Sequence, residues 1–288
     1  MVGQAVLSRP SPEQVYRRRV VALVVVAALL GVGGWAAWQA LNGEERAAPP
    51  PTTAPPPKVI DVLFPEGFTR EQMALRAARE SSTITERGYL EATARSSLPG
   101  EFAGDGKPRS LEGFLFPATY ELFATDPARR LVAKQLDAFR LNWGKVNLRY
   151  ARSKNLTPYD VLIIASMIEK EVRVPKERPL VAAVIYNRLR ARMPLGIDAT
   201  LRYGLGIPPT KAITKTDLAS SSPYNTRRFR GLPPTPIANP GLASIQAAAH
   251  PAKVDYLYFV RKPDCRSHFF TASDQAFLDY TRRGLTNC

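Results

Sequence analysis

The first candidates for acid–base chemistry in this 288-residue chain are two carboxylates two positions apart, Glu169 and Glu171. They stand in a segment with strong helix-start chemistry: Thr157 as cap, Pro158 at the first helical position, and Asp160 near the positive end of the dipole. The helix, reading VLIIASMIEKEV, is expected to stop near Val174, because Pro175 disfavours helical geometry in the residue before it. At roughly 100° per residue, Glu169 lies about 20° from Leu162, about 40° from Ala165 and about 60° from Ser166. Its carboxyl therefore emerges beside an apolar patch of small residues, where partial burial would disfavour the anion and keep a proton available to a general acid. Glu171 lies about 200° away round the same helix, so the two cannot flank a glycosidic bond as the carboxylates of ordinary glycoside hydrolases do. The plainer reading of Glu169 is an exposed ion pair with Arg173, worth about 0.2–0.5 kcal/mol.

Other residues invite two readings each. Glu112, in the apolar and aromatic run Leu111–Pro117, is a rival acid or a carboxylate tethering a loop. Asp198, before TLRYG, is a ligand contact or a helix cap closed by Gly204. Asn187, on a helix beginning after Pro179 with Val181, Val184 and Ile185 inward, carries an amide that can donate to and accept from a polar ligand, or tie a loop. Tyr224-Asn225-Thr226 brings an aromatic face and two polar side chains together as a cleft wall, with a turn-forming Asn as the alternative. Asn239 is expected to cap a helix that has Pro240 at its first position and ends at His250, a favourable place for a cation rather than a catalytic one. Two Cys and two His cannot supply an ordinary zinc cluster, and no Gly-rich phosphate loop is present, which argues against nucleotide or structural-metal chemistry.

The elements that must position these residues follow from composition and pattern. Val20–Leu41 is a run of 22 residues without charge, long enough to cross a bilayer. Arg17-Arg18-Arg19 before it places residues 1–19 in the cytoplasm and the remainder outside, with Trp35 and Trp38 at the outer interface. The run exceeds a signal-peptide core of about 7–15 residues, so it reads as an uncleaved anchor, cleavage near Ala40 being the lesser alternative. Of the net charge of +15, the part after Leu41 carries +12, from 36 basic and 24 acidic side chains. Outside the cytoplasm that charge meets lipid headgroups and wall polymers, or is simply a solvated surface; nucleic acid is not expected as a partner.

Residues 42–57 form a Pro-rich linker, including EERAAPPPTTAPPP. A strand is expected at Val59–Phe64, a turn at Pro65-Glu66-Gly67, and a helix capped by Thr69 with Met73, Ala74 and Ala77 inward. Ser96–Pro108 reads as loop and Pro127–Trp143 as helix. Irregularly interspersed strands and helices point to an α+β fold. Cys265 and Cys288, in an oxidising compartment, could form a disulfide pinning the C-terminus or remain free thiols.

Several motifs occur in a telling order: Ala165-Ser166-Met167-Ile168-Glu169-Lys170-Glu171, Asn187-Arg188-Leu189, Asp198–Gly204, Pro223-Tyr224-Asn225-Thr226 and Gly231–Gly241, preceded by Phe64-Pro65-Glu66-Gly67 and Leu111–Pro117. Together, over residues 58 to 280, they resemble the endolytic murein transglycosylase family, also called MltG or YceG-like. The resemblance implies a bacterial inner-membrane enzyme that cuts nascent peptidoglycan strands within the chain, with a LysM-like α+β subdomain at 58–150 and a mixed α/β catalytic domain at 151–284. It makes Glu169 the catalytic acid and base, and Glu112, Asn187, Asp198, Thr200, Tyr224, Asn225 and Thr226 substrate-binding. No metal or cofactor is required, because the sugar's own 6-hydroxyl displaces the leaving oxygen and leaves a 1,6-anhydro end. Peptidoglycan synthases are candidate partners. Two competing readings are an inactive glycan-binding scaffold and a true hydrolase, which needs a second carboxylate about 5–9.5 Å from Glu169.

Overall fold

The computed structural model describes residues 12–42, 58–102 and 110–283. Met1–Pro56 and Pro57–Cys288 form two separate units. The first contains helix α1 (Pro12–Asn42), which begins eight residues before the charge-free run and carries Arg17–Arg19 within it. Its stretch Tyr16–Leu41 has a mean hydropathy of 2.4 and none of it is buried, the profile of a helix able to cross a membrane. The linker residues 43–57, like 103–109 of the expected loop, lie outside the described residues.

In the second unit, β1 (Val59–Leu63) pairs antiparallel with β2 (Thr119–Phe123), Val59 opposite Phe123 and Leu63 opposite Thr119. Alternation buries Val62, Tyr120 and Leu122 and leaves Val59, Leu63 and Phe123 exposed. Between these strands in the chain come α2 (Arg70–Glu80) and α3 (Glu86–Arg95). A reciprocal capping box of Thr69 and Gln72 starts α2, and Met73, Ala74 and Ala77 face inward as the pattern predicts. Helix α4 (Ala128–Trp143) buries Leu131, Val132, Leu136, Phe139 and Trp143. Phe114 meets Phe102 and Phe139 at ring separations of 4.9 and 5.2 Å. The run that contains Phe114 is a buried turn: Gly113 has φ +91°, and a Cβ there would lie 2.7 Å from Pro236.

After the short α5 (Arg149–Ser153) comes α6 (Pro158–Glu171), started by a Thr157–Asp160 capping box with Pro158 in the first turn. Tyr159 and every residue from Val161 to Ile168 are buried. Each fully buried Leu, Ile or Val contributes about 1.5–3 kcal/mol and a cap about 1 kcal/mol, so packing decides where α6 sits. It packs against α7 (Arg178–Arg190), α8 (Asp198–Leu205) and above all α10 (Leu242–Ala249), with α9 (Lys215–Leu218) beyond α8. Residues on both sides of position 150 share this hydrophobic core.

Helix α6 ends at Glu171, three residues short of the expected stop. Val172 turns extended (φ −96°, ψ 126°) and buries its side chain, so the core ends the helix before Pro175 can. The chain closes with the hairpin β3 (Tyr258–Arg261) and β4 (His268–Thr271) and with α11 (Asp274–Arg282). Buried Glu177 fastens this hairpin to the turn before α7, accepting from the His268 backbone at 3.0 Å and meeting its Nδ1 at 2.7 Å.

Candidate active site

Glu169 is half-buried on the last turn of α6, and its Oε2 accepts a hydrogen bond of 3.0 Å from the backbone N–H of Gly241. The anticipated pair with Arg173 is not among its bonds: α6 has ended, so Arg173 is no longer one helical turn above it. Gly67 also lies near this side chain: a Cβ on it would stand in ordinary contact with Glu169 Cγ, at 3.5 Å. Lys170 holds that turn by donating from Nζ to the Gly67 carbonyl at 3.0 Å.

The loop that brings Gly241 to Glu169 is bolted to α6 and to the 66–70 turn. Ser166, fully buried, donates to Ile163 O at 2.7 Å and accepts from the Ile237 N–H at 3.0 Å. Asn239 and the turn exchange backbone bonds: Gly67 N–H donates to Asn239 O and Asn239 N–H to Phe68 O, both at 2.9 Å. The Asn239 side chain accepts from the Gly113 and Leu115 N–H groups and donates to Phe68 O and Glu112 Oε1, within 3.0 Å throughout. It is therefore not the expected cap. Helix α10 starts at Leu242, with Gly241 in the cap position and no side-chain cap, because buried N–H groups elsewhere occupy the Asn239 oxygen. His250 stands at the end of α10 as expected.

Glu112 is fully buried and tethers this assembly: it accepts from the Arg70 N–H with both oxygens, from Asn239 Nδ2 and from the Tyr203 hydroxyl. Burial pushes its pKa from the ordinary 4.5 up to about 8, against donors that favour the anion. In that window the folded state holds a proton that the unfolded chain has released, so stability falls as pH rises from about 4.5 to about 8. Denaturation midpoints should show this fall in the wild type and a weaker one in Glu112→Gln; equal slopes would mean that Glu112 does not titrate there.

Glu171 points elsewhere, as the helical angle requires. It is half-buried near Arg261, Asp198, Arg227 and the Ala199 N–H, and loss of water raises its pKa. Asp198 is the first residue of α8 rather than its cap, and it pairs with Arg227. Gly206, with φ +64°, closes that helix, and Gly204 is inside it.

The other anticipated substrate contacts are fastened within the protein. Asn187 Nδ2 donates to Val254 O and Tyr256 O, both at 2.9 Å, tying the loop. Thr200 and Thr226 are buried and bond each other at 2.9 Å, with Thr226 Oγ1 also accepting from the Ile197 N–H. Asn225, buried, donates to Leu218 O and Ser220 O, the turn-forming alternative. Tyr224 lies on α8 with its hydroxyl 2.7 Å from Thr235 Oγ1. A Cβ at Gly204 would fall 2.5 Å from Tyr224 Cβ. Gly204→Ala should therefore lower stability by about 1–3 kcal/mol, read as a drop in melting temperature, and an unchanged melting temperature would unseat Tyr224 from this position. Cys265 is disulfide-bonded, and Cys288 lies outside the described residues.

One group escaped the sequence reading: the carboxyl of Glu66. It lies against Gly241 so closely that a Cβ on that glycine would be 1.7 Å from Glu66 Oε1. Glu169 and Glu66 therefore converge on a single residue at the N-terminus of α10. The Phe64-Pro65-Glu66-Gly67 motif contained it, but a turn between a strand and a capped helix carries no periodicity that would single out the Glu66 carboxyl.

The chain is similar to several known proteins. The model of the YceG-like family matches residues 37–283. A Bacillus subtilis (strain 168) protein named endolytic murein transglycosylase is 39% identical over 152 residues, 53% of this chain and 42% of that protein. One of the same name from Streptococcus pneumoniae (strain R6) is 34% identical over 203 residues, 68% and 36% of the respective chains. The chain thus spans about two fifths of the length of these curated relatives. A crystal structure of a YceG-like protein from Listeria monocytogenes superimposes with a TM-score of 0.69 at 29% identity, covering 80% of this chain and 77% of that one. With a capped, buried helix presenting Glu169 to a fixed loop, and with a family match across most of its length, the chain belongs to the YceG-like family.

Proposed function

We propose that this protein is a membrane-anchored endolytic lytic transglycosylase that cuts nascent peptidoglycan strands between N-acetylmuramic acid and N-acetylglucosamine and so terminates their elongation. The observation that carries the reading is Glu169, half-buried at the end of α6 and aimed by the Gly241 N–H. Relatives named endolytic murein transglycosylase support it.

Glu169 gives its proton to the oxygen leaving C1 of the muramic sugar. The 6-hydroxyl oxygen of that sugar bonds to C1, and its proton is taken up by the Glu169 carboxylate, which so returns to its acid form. Water is not consumed, and the new end is a 1,6-anhydro ring.

Helix α1 is the anchor in this account, with the N-terminus cytoplasmic and the second unit outside the inner membrane; its apolar stretch and the adjoining Arg17–Arg19 support that orientation. The part spanning residues 58–150, with its β1-α2-α3-β2 order, is the LysM-like glycan contact, and 151–284 the catalytic part. Peptidoglycan synthases are the expected partners. Mass spectrometry of products from full-length protein and uncrosslinked lipid-linked strands tests the reaction class: anhydro ends are expected, and intact bound strands would favour a scaffold. Reducing ends would favour hydrolysis.

A further inference from the structure

Two carboxyl groups meet at Gly241, and the mechanism above uses one of them. Glu169 takes the Gly241 N–H, and Glu66 lies against the Cα of the same residue. Glu66 is itself exposed, on a turn that is fixed. The turn trades backbone bonds with Asn239, and Lys170 holds its Gly67 carbonyl. Loss of water around the Glu66 carboxyl raises its pKa, the Glu169 charge adds to this, and Arg178 opposes it.

The sugar chemistry gives this arrangement a use. In a β-linked D-pyranose the leaving oxygen at C1 and the hydroxymethyl group project from the same face of the ring. An acid for the first and an acceptor for the second can therefore approach from one side of the ring, unlike the opposed pair of a hydrolase, and Glu169 and Glu66 both reach the same residue, Gly241. We infer that Glu66 is a second catalytic residue, which accepts the hydrogen bond of the 6-hydroxyl and takes its proton as O6 bonds to C1. The C1–oxygen bond breaks first, with its electron pair on the leaving oxygen, which Glu169 protonates; O6 then bonds to the oxocarbenium carbon from the vacated face, and the proton gained by Glu66 passes to Glu169. This rests on the transglycosylase reading.

The test compares full-length wild type, Glu66→Gln and Glu66→Asp on uncrosslinked lipid-linked strands, with products identified by mass spectrometry. Glu66→Gln keeps the shape but cannot take a proton, so kcat should fall by roughly 10²-fold with KM within about twofold. Glu66→Asp should recover part of the loss, and the acidic limb of the kcat profile against pH should flatten in Glu66→Gln. The charged groups around this carboxyl are Glu169 from α6, Arg178 from α7, and Lys170 on the adjoining Gly67 carbonyl; all remain in the variants. A Glu66→Gln enzyme that makes anhydro ends at the wild-type rate would overturn the assignment and leave the function standing. A loss of kcat that tracks a lower melting temperature, with no recovery in Glu66→Asp, would also overturn it, making Glu66 a structural partner of the α10 N-terminus. Absence of anhydro ends from the wild type would instead overturn the function on which it rests.

Discussion

Glu169→Gln should lower glycan cleavage by at least about 10²- to 10⁴-fold while leaving the melting temperature unchanged. The amide oxygen of Gln can still accept the Gly241 N–H, which is the only hydrogen bond seen for the Glu169 side chain among the described residues, so packing has no reason to change. What disappears is the proton for the leaving oxygen. Binding of uncut strands should persist, because the contacts that hold the 66–70 turn and the 237–241 loop do not run through the acidic proton. A variant that retains more than about a tenth of wild-type activity would remove Glu169 from the centre of the mechanism.

Asn239→Ala should be the most damaging polar substitution in the fold. It strips the acceptor from two buried N–H groups, of Gly113 and Leu115, and the donor from Phe68 O and Glu112. Each buried group left unpaired costs about 1–3 kcal/mol, and even with partial relaxation the loss should reach about 3 kcal/mol or more. For a unit of this size that is a fall in melting temperature of about 6–12 °C. Activity should fall with it, because Asn239 fixes the loop that delivers Gly241 to Glu169. Calorimetry of the variant beside Ser166→Ala, which frees only the Ile237 N–H of the same loop, gives the scale. A loss no larger than that of Ser166→Ala would mean that the hub is shared differently.

Much of this could be read from the sequence where local chemistry decides the structure. The Thr157-Pro158-Asp160 start of α6, the inward face of α2 and the Pro127–Trp143 helix all follow from caps and periodicity, which act within a few residues. The angle between Glu169 and Glu171 followed from helix geometry alone. What could not be read depended on partners distant in the chain. Asn239 has the pattern of a cap, but its oxygen meets N–H groups 124 and 126 residues away. Asn187, Thr200, Asn225 and Thr226 have the chemistry of sugar contacts, and the same chemistry satisfies buried backbone groups, which no one-dimensional pattern distinguishes. Glu66 was missed because its significance lies in Gly241, which only the fold brings beside it.

The most direct test of the central claim is digestion of uncrosslinked lipid-linked strands in water enriched in heavy oxygen, with wild type and Glu169→Gln run side by side. The account predicts that wild-type cuts end in 1,6-anhydro rings with no heavy oxygen incorporated, and that Glu169→Gln yields no new ends. Heavy oxygen at new reducing ends would show that water, and not the sugar's own hydroxyl, is the nucleophile, and would contradict it.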